Sequence, residues 1–148
     1  MGKARIIFLG SGGGRKIVAS QARATGGFVV QVGEEQIHID PGPGALVHAA
    51  RLGIDSKNTT MVLVSHFHID HSNDVNAVID ALTFGGLEKK GVLVTSSFYE
   101  NDNLTEFHSK VVGCHIKLKP GEKMNFKDLA VYATKTEDHE KGSIGYKV

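Results

Sequence analysis

The sequence predicts a mixed α/β fold in which helices cover one face of a sheet. Two observations predict it. Short apolar runs alternate with amphipathic stretches through the first two thirds of the chain, and strand-like runs dominate the last third. Turns rich in glycine or proline separate the pieces. With 148 residues and neither repeat nor linker, 1-148 reads as a single domain.

Taken in order, Ala4–Leu9 is an apolar run ended by glycines, the mark of a first strand. Phe28–Val32 and Gln36–Asp40 are strand-like and flank Gly33-Glu34-Glu35, which fits a hairpin. Asp40-Pro41-Gly42-Pro43-Gly44 must turn, because two prolines and two glycines suit no regular interior. Ala45–Leu52 has helical spacing, stopped by Gly53. Met61–Ser65 is a continuous apolar run, the pattern of a strand buried on both faces. Ser72–Phe84 repeats Val75, Val78, Ile79 and Leu82 at helical intervals before Gly85-Gly86. Gly91–Ser96 reads as a second buried strand and Leu104–Val112 as a short helix. His115–Leu118, Met124–Phe126, Leu129–Thr134 and Ile144–Val148 read as strands. The last of these runs to the final residue with no cap or polar tail, so the domain is expected to be incomplete at its C-terminus.

Composition narrows the function classes. A chain that is 41% hydrophobic and 22% charged can bury a core and is not disordered. A net charge of +1 gives no broad field for nucleic acid or an anionic membrane, although a local basic patch keeps nucleic acid open as a partner. The lone Cys114 cannot form an intrachain disulfide, which fits a reducing compartment. The N-terminus lacks a leader pattern and no apolar stretch reaches spanning length, so the expected setting is the cytoplasm, off the membrane.

The chemistry is concentrated in His66-Phe67-His68-Ile69-Asp70-His71, directly behind the apolar strand. In an extended segment His66, His68 and Asp70 project to one side, and the onset of a helix swings His71 towards them. Imidazoles with a carboxylate suit zinc or another borderline first-row metal. Four such groups on one segment are too many for one open catalytic ion, so a pair of ions is the natural reading. The bland alternative is a solvated histidine-rich loop, but such a loop has no reason to follow a buried strand.

This motif resembles the signature of the metallo-β-lactamase superfamily, with a phosphodiesterase-like or tRNase Z-like flavour. Ile6-Ile7-Phe8-Leu9-Gly10-Ser11-Gly12 is similar to that family's opening strand and glycine loop, and Ile37-His38-Ile39-Asp40-Pro41-Gly42-Pro43-Gly44 resembles its aspartate turn. His139 ahead of Gly142-Ser143-Ile144-Gly145-Tyr146-Lys147-Val148 resembles the third motif. The resemblance implies an αβ/βα sandwich, here the first αβ half plus the start of the second. It implies that His66, His68 and His139 hold one ion and that Asp70 and His71 hold another. Asp40 would orient the ligands from behind, and Asp70 would also take or relay a proton. Zinc is the implied metal, with manganese or iron as alternatives. Two ions roughly 3.5–4 Å apart would activate a bridging hydroxide for attack on an ester-type bond. A phosphodiester or phosphate ester, or another small-molecule ester, is the implied substrate. The family's later bridging aspartate and final histidine have no counterpart here. The alternative is therefore a truncated or regulatory metal-binding module without full activity, and the expected partner is a second copy or a missing C-terminal half. A di-iron redox role, also served by this fold, ranks last because nothing resembles a flavin domain.

Other features read more plainly. Gly10-Ser11-Gly12-Gly13-Gly14-Arg15-Lys16 lacks phosphate-loop spacing, since Ile17 follows Lys16, and reads as a mobile loop at the site. Arg15, Lys16 and Arg23 read as solvated. Cys114 reads as a buried structural thiol rather than the partner of His115. His38 reads as structural, His48 and His108 as ordinary helix residues, and Asp138 and Glu140 as solvated.

Overall fold

The computed structural model describes residues 3–99 and 103–148. The elements run β1 (Ala4–Phe8), α1 (Arg15–Ser20), β2 (Phe28–Val32), β3 (Glu35–Ile39), α2 (Ala45–Arg51), a 3-10 turn at Ser56–Asn58, and β4 (Met61–Leu63). Then come α3 (Ile69–Ser72), α4 (Val75–Leu82), β5 (Lys90–Ser96), α5 (Glu106–Val111), β6 (Val112–Leu118), β7 (Lys123–Phe126), β8 (Leu129–Lys135) and β9 (Ile144–Lys147). Strands β1 to β6 form one sheet in sequence order, and β7-β8-β9 form a second. The first three strands pair antiparallel, β1 to β2 through a long segment that carries α1 and β2 to β3 through a tight turn, and β3 to β6 pair parallel through helical crossovers.

The six-stranded sheet is the middle layer. On one face Val62, Val64 and Leu93 pack against Val75, Val78, Ile79 and Leu82 of α4. On the other face Ile37, Ile39, Met61, Leu63, Val92 and Val94 meet Met124, Val131, Ala133 and Ile144 of the second sheet. Met61, Val62 and Leu63 are fully buried, as an unbroken apolar run with both faces covered requires. Burying such side chains supplies about 1.5–3 kcal/mol each against the entropy of ordering them.

The two edges of this sandwich differ. Tyr146 on β9 donates its hydroxyl to the carbonyls of Val64 (2.8 Å) and Val94 (3.1 Å), and the Ile144 N–H donates to the Ser65 carbonyl (3.0 Å). These bonds fix β9 over the strand that leads into the histidine motif. Beyond β9 the second sheet gives out. Ile6 is 60% exposed and Phe8 67% exposed, although they share a face with Val30 and Phe28 in register. A groove of about 440 Å³ between Ile6, Phe28, Val30, Tyr146 and Val148 stays open. Apolar surface of this kind drives association. The isolated chain is therefore expected to elute as more than a monomer at tens of micromolar, and Phe8→Lys to shift it towards the monomer. Light scattering of both proteins checks this, and identical monomeric masses would count against it.

Several details depart from the sequence expectation. The stretch read as a loop after Gly10 contains the helix α1, whose lack of buried residues leaves no apolar period to detect. The helix read from Ser72 is two helices, and α3 starts earlier, at Ile69. Between them, the Asp74 carboxylate accepts from the N–H groups of Gly44 and Ala45, 2.9 Å each, at the start of α2. β4 stops at Leu63 because the Ser65 N–H donates to the Asp40 side chain instead of a neighbouring strand. β6 begins at Val112, immediately after α5. Cys114 is exposed, not buried. It pairs in register with Val92 on the edge strand of the sheet, on a face that the short second sheet does not cover so far along.

His38 is the structural histidine expected of it, 1% exposed with its Nε2 3.0 Å from the Gly26 carbonyl. Burial holds its pKa below the usual 6.5, against the opposing pull of Gly26, Asp74 and Asp40. Below that usual value the unfolded chain takes up a proton that the fold refuses. The stabilisation is therefore complete above pH 6.5 and is lost as pH falls towards the lower folded value. Replacing His38 with glutamine, which can still donate to Gly26, is expected to flatten the decline in melting temperature between neutral and mildly acidic pH. Parallel declines in the two proteins would refute the assignment.

Candidate metal centre

The site forms where β3 and β4 end. β3 delivers Asp40, whose N–H donates to the Leu63 carbonyl at 2.8 Å, so the two strand ends are locked in phase. Asp40 has a left-handed backbone with φ 50°, a conformation that aspartate tolerates better than most residues. Its turn then passes very close to the metal-motif loop. A Cβ on Gly42 would lie 2.1 Å from the backbone oxygens of both Asp70 and Thr25, so only glycine fits there.

Asp40 organises two of the histidines. Its Oδ1 accepts the Ser65 N–H at 2.7 Å, and its Oδ2 accepts the Ser65 hydroxyl at 2.7 Å. The same Oδ2 lies 2.9 Å from His71 Nδ1. Ser65 Oγ in turn sits 2.9 Å from His66 Nδ1. One carboxylate therefore orients two imidazoles, His71 directly and His66 through Ser65, and leaves the Nε2 of His66 towards His68 and His139 and that of His71 towards Asp70. This is the arrangement in which a histidine's outer nitrogen is held so that its inner nitrogen can bind a metal.

The structure brings three imidazoles together. His66 Nε2 lies 3.1 Å from His68 Nδ1 and 3.0 Å from His139 Nε2, and one nitrogen from each of the three falls within 4.8 Å of the others. A tetrahedral ion with bonds of about 2.0–2.1 Å needs nitrogens roughly 3.3 Å apart. The two separations from His66 are thus near that spacing, and the donor chemistry suits a first-row metal. His139 arrives on the loop between β8 and β9, closed by Thr136 Oγ1 donating to the Ser143 carbonyl at 2.9 Å.

Asp70 and His71 lie beside this trio. His71 Nε2 is 3.6 Å from Asp70 Oδ2, and the ring centroids of His66 and His71 are 4.1 Å apart. Asp70 is not in the extended phase that the sequence suggested. It sits in the first turn of α3, and its Oδ2 accepts the Gly14 N–H at 3.0 Å. The glycine loop after β1 therefore packs against a metal-motif carboxylate. A pocket of about 570 Å³ opens over these groups, bounded also by Gly14 and Arg15.

Electrostatics divide the cluster. Burial, with His71, His139 and His68 nearby, pushes the His66 pKa down to about 4 despite the opposing pull of Asp40. His66 is accordingly neutral near pH 7, with its lone pair free for a cation. The hydrogen bond to Asp40 raises the pKa of His71 against the effect of burial. Burial works against ionisation of Asp70, but the Gly14 N–H, its own backbone and the nearby histidines outweigh it and lower its pKa.

Three participants lie outside the set that sequence reasoning picked out. Ser65 links Asp40 to His66, and its place directly before the motif is the available signal. Glu140, expected to be solvated, has its Oε2 3.3 Å from His68 Nε2. Tyr99 donates its hydroxyl to the same oxygen at 3.3 Å. Burial and Glu140 push the Tyr99 pKa up to about 12. Nothing local in the sequence announces this contact, because Tyr99 and Glu140 stand 41 residues apart.

No family model matches the chain. An uncharacterized protein of Methanocaldococcus jannaschii is 34% identical over 99% of the chain and 57% of its own length. A protein called ribonuclease Z from Methanosarcina mazei is 30% identical over 97% of the chain and 48% of its own length. The chain thus spans about half the length of the curated relatives it matches. Among solved structures, the metallo-β-lactamase fold protein YhfI from Bacillus subtilis superposes with a TM-score of 0.74 at 18% identity, covering 97% of this chain and 57% of that one. A diphosphatase from the PhnP family gives 0.73 at 19% identity, covering 98% and 62%. With strand order and layers matching these structures, the chain has the metallo-β-lactamase fold.

Proposed function

We propose that the chain carries the metal centre of a metal-dependent hydrolase, with phosphodiester or phosphate-ester bonds as its target. The observation that supports this most is the convergence of His66, His68 and His139 nitrogens beside the Asp70–His71 pair, with Asp40 and Ser65 holding the outer nitrogens of His71 and His66. In this reading the three histidines hold one ion, and Asp70 and His71 contribute to a second. Zinc is the metal proposed, and manganese or iron would use the same donors. Metal there supplies Lewis acidity and an activated water. The chain's own residues do the rest. Ionised Asp70 accepts a proton at Oδ2, Asp40 keeps His71 in one orientation, and the pocket beside Arg15 receives the substrate. The phosphate preference draws on the names of the relatives, a ribonuclease Z and a diphosphatase. Among the described residues no helix is long and apolar enough to cross a membrane, and a cytoplasmic setting is part of the proposal.

The test is turnover of bis(p-nitrophenyl) phosphate and of a short RNA by protein reconstituted with zinc, manganese or iron, beside His68→Ala. Metal-dependent cleavage lost in the variant supports the hydrolase. Full metal occupancy without cleavage of either substrate favours the second reading, a metal-binding module that needs further chain or a partner. The coverage of only half of each relative's length is the observation behind that alternative.

A further inference from the structure

Ser65 holds His66 from behind, and Asp40 holds His71. His68 is placed differently. Its Nδ1 faces His66 Nε2 at 3.1 Å, so Nε2 is its outer nitrogen. Its side chain is 52% exposed. An exposed ring with two free torsions loses rotamer entropy when a cation fixes it. That loss weakens binding unless a neighbour holds the ring beforehand.

The neighbour comes from the loop between β8 and β9. Glu140 directly follows His139, and its Oε2 lies 3.3 Å from His68 Nε2. One loop therefore carries a candidate ligand and, on the next residue, a carboxylate for the back of a second ligand. The Glu140 carbonyl accepts the Ser143 N–H at 3.0 Å, which closes the turn that follows.

Glu140 is itself held. The Tyr99 hydroxyl donates to the same Oε2 at 3.3 Å. The Tyr99 ring meets that of Phe67 edge to face, with centroids 4.9 Å apart, and the Tyr99 carbonyl accepts from Lys117 Nζ at 2.9 Å. Phe67 stands between His66 and His68 and packs against the core under α4. Tyr99, Glu140 and His68 thus tie the segment after β5, the His139 loop and the histidine motif together.

We propose that Glu140 is the positioning residue for His68 and that Tyr99 acts through it, an inference that rests on the metal centre proposed above. Glu140 Oε2 accepts the Nε2 proton of His68 and leaves the Nδ1 lone pair for the cation. Tyr99 keeps that carboxylate on the ring. The two residues do for His68 what Asp40 and Ser65 do for His71 and His66. Contacts of this kind are often long in an empty site and tighten when it fills. An exposed ion pair adds little to folding, so the effect falls on metal affinity and on the histidine tautomer.

Calorimetric zinc titration of the full chain tests this, with Glu140→Ala, Glu140→Gln, Tyr99→Phe and the double variant Tyr99→Phe/Glu140→Ala. Glu140→Ala is expected to weaken zinc binding about tenfold, the lower end for loss of a ligand's outer partner. Glu140→Gln keeps an acceptor oxygen and should lose less. Tyr99→Phe should weaken binding about 2–10-fold, the worth of one hydrogen bond. In the double variant it should add nothing to the Glu140→Ala loss, because its effect passes through Glu140. Metal-free melting temperatures should match the wild type. Nitrogen–proton multiple-bond spectra of the zinc-loaded chain should show His68 protonated at Nε2 and bound through Nδ1. Unchanged zinc affinity in Glu140→Ala, losses that add in the double variant, or zinc on Nε2 of His68 would each overturn the inference. So would a metal-free melting temperature that falls in step with zinc affinity, which would make the contact structural. Failure of the metal centre itself reads differently: the wild type would then bind no zinc, or His66→Ala would bind it equally well, and this inference would fall with it.

Discussion

Replacing His66 with alanine is expected to lower zinc affinity by more than about 100-fold, since losing merely an outer partner of a ligand costs about 10–100-fold. His66 is the hub of the cluster. It is 4% exposed, and its ring lies 4.7 Å from that of His68, 4.1 Å from His71 and 4.5 Å from His139, centroid to centroid. Burial and the neighbouring imidazoles hold its pKa at about 4, so at neutral pH no proton has to leave before a cation binds. The readout is the rise in melting temperature on adding zinc, which results from binding to the native state alone. The wild-type chain should show that rise at micromolar zinc and His66→Ala should not. An equal rise in both would mean that zinc binds elsewhere.

The second large effect is expected at Asp40. It accepts three hydrogen bonds at 2.7, 2.7 and 2.9 Å, two from Ser65 and one from His71. Asp40→Ala removes both acceptor oxygens, and with them all three hydrogen bonds, and places a residue with little tolerance for it at φ 50°. A loss of about 2–4 kcal/mol in stability is expected, as for other disrupted hydrogen-bond networks. Asp40→Asn tolerates the backbone better but offers one acceptor oxygen where two are used. It should therefore fold with a smaller loss and still bind zinc about 10–100-fold more weakly. Urea unfolding with and without zinc separates the two consequences. Wild-type zinc affinity in Asp40→Asn would show that Asp40 does not orient the ligands.

Legibility in the sequence varies with the physics of each element. Met61–Ser65 and Val75–Leu82 are plain, because burial on two faces and burial on one face leave different apolar periods. The candidate metal site is plain because four of its residues sit within six positions, whereas His139 stands out only through the family resemblance. Helix α1 is hidden because it buries nothing. Asp74 is hidden because its partners, Gly44 and Ala45, are thirty and twenty-nine residues away, a cap made across space rather than along the chain. Cys114 misleads because strand alternation predicts which face a residue occupies, not whether another layer extends far enough to cover it. Glu140 is exposed, as a charged loop residue is expected to be, and only the fold brings it to His68.

The most direct measurement is X-ray absorption at the zinc edge of protein loaded with one equivalent of the metal. If the three histidines hold the ion, the first coordination sphere contains about three imidazole nitrogens at about 2.0–2.1 Å, falling by one in His139→Ala. A sphere of oxygens alone, or one that the loss of His139 leaves untouched, would contradict it.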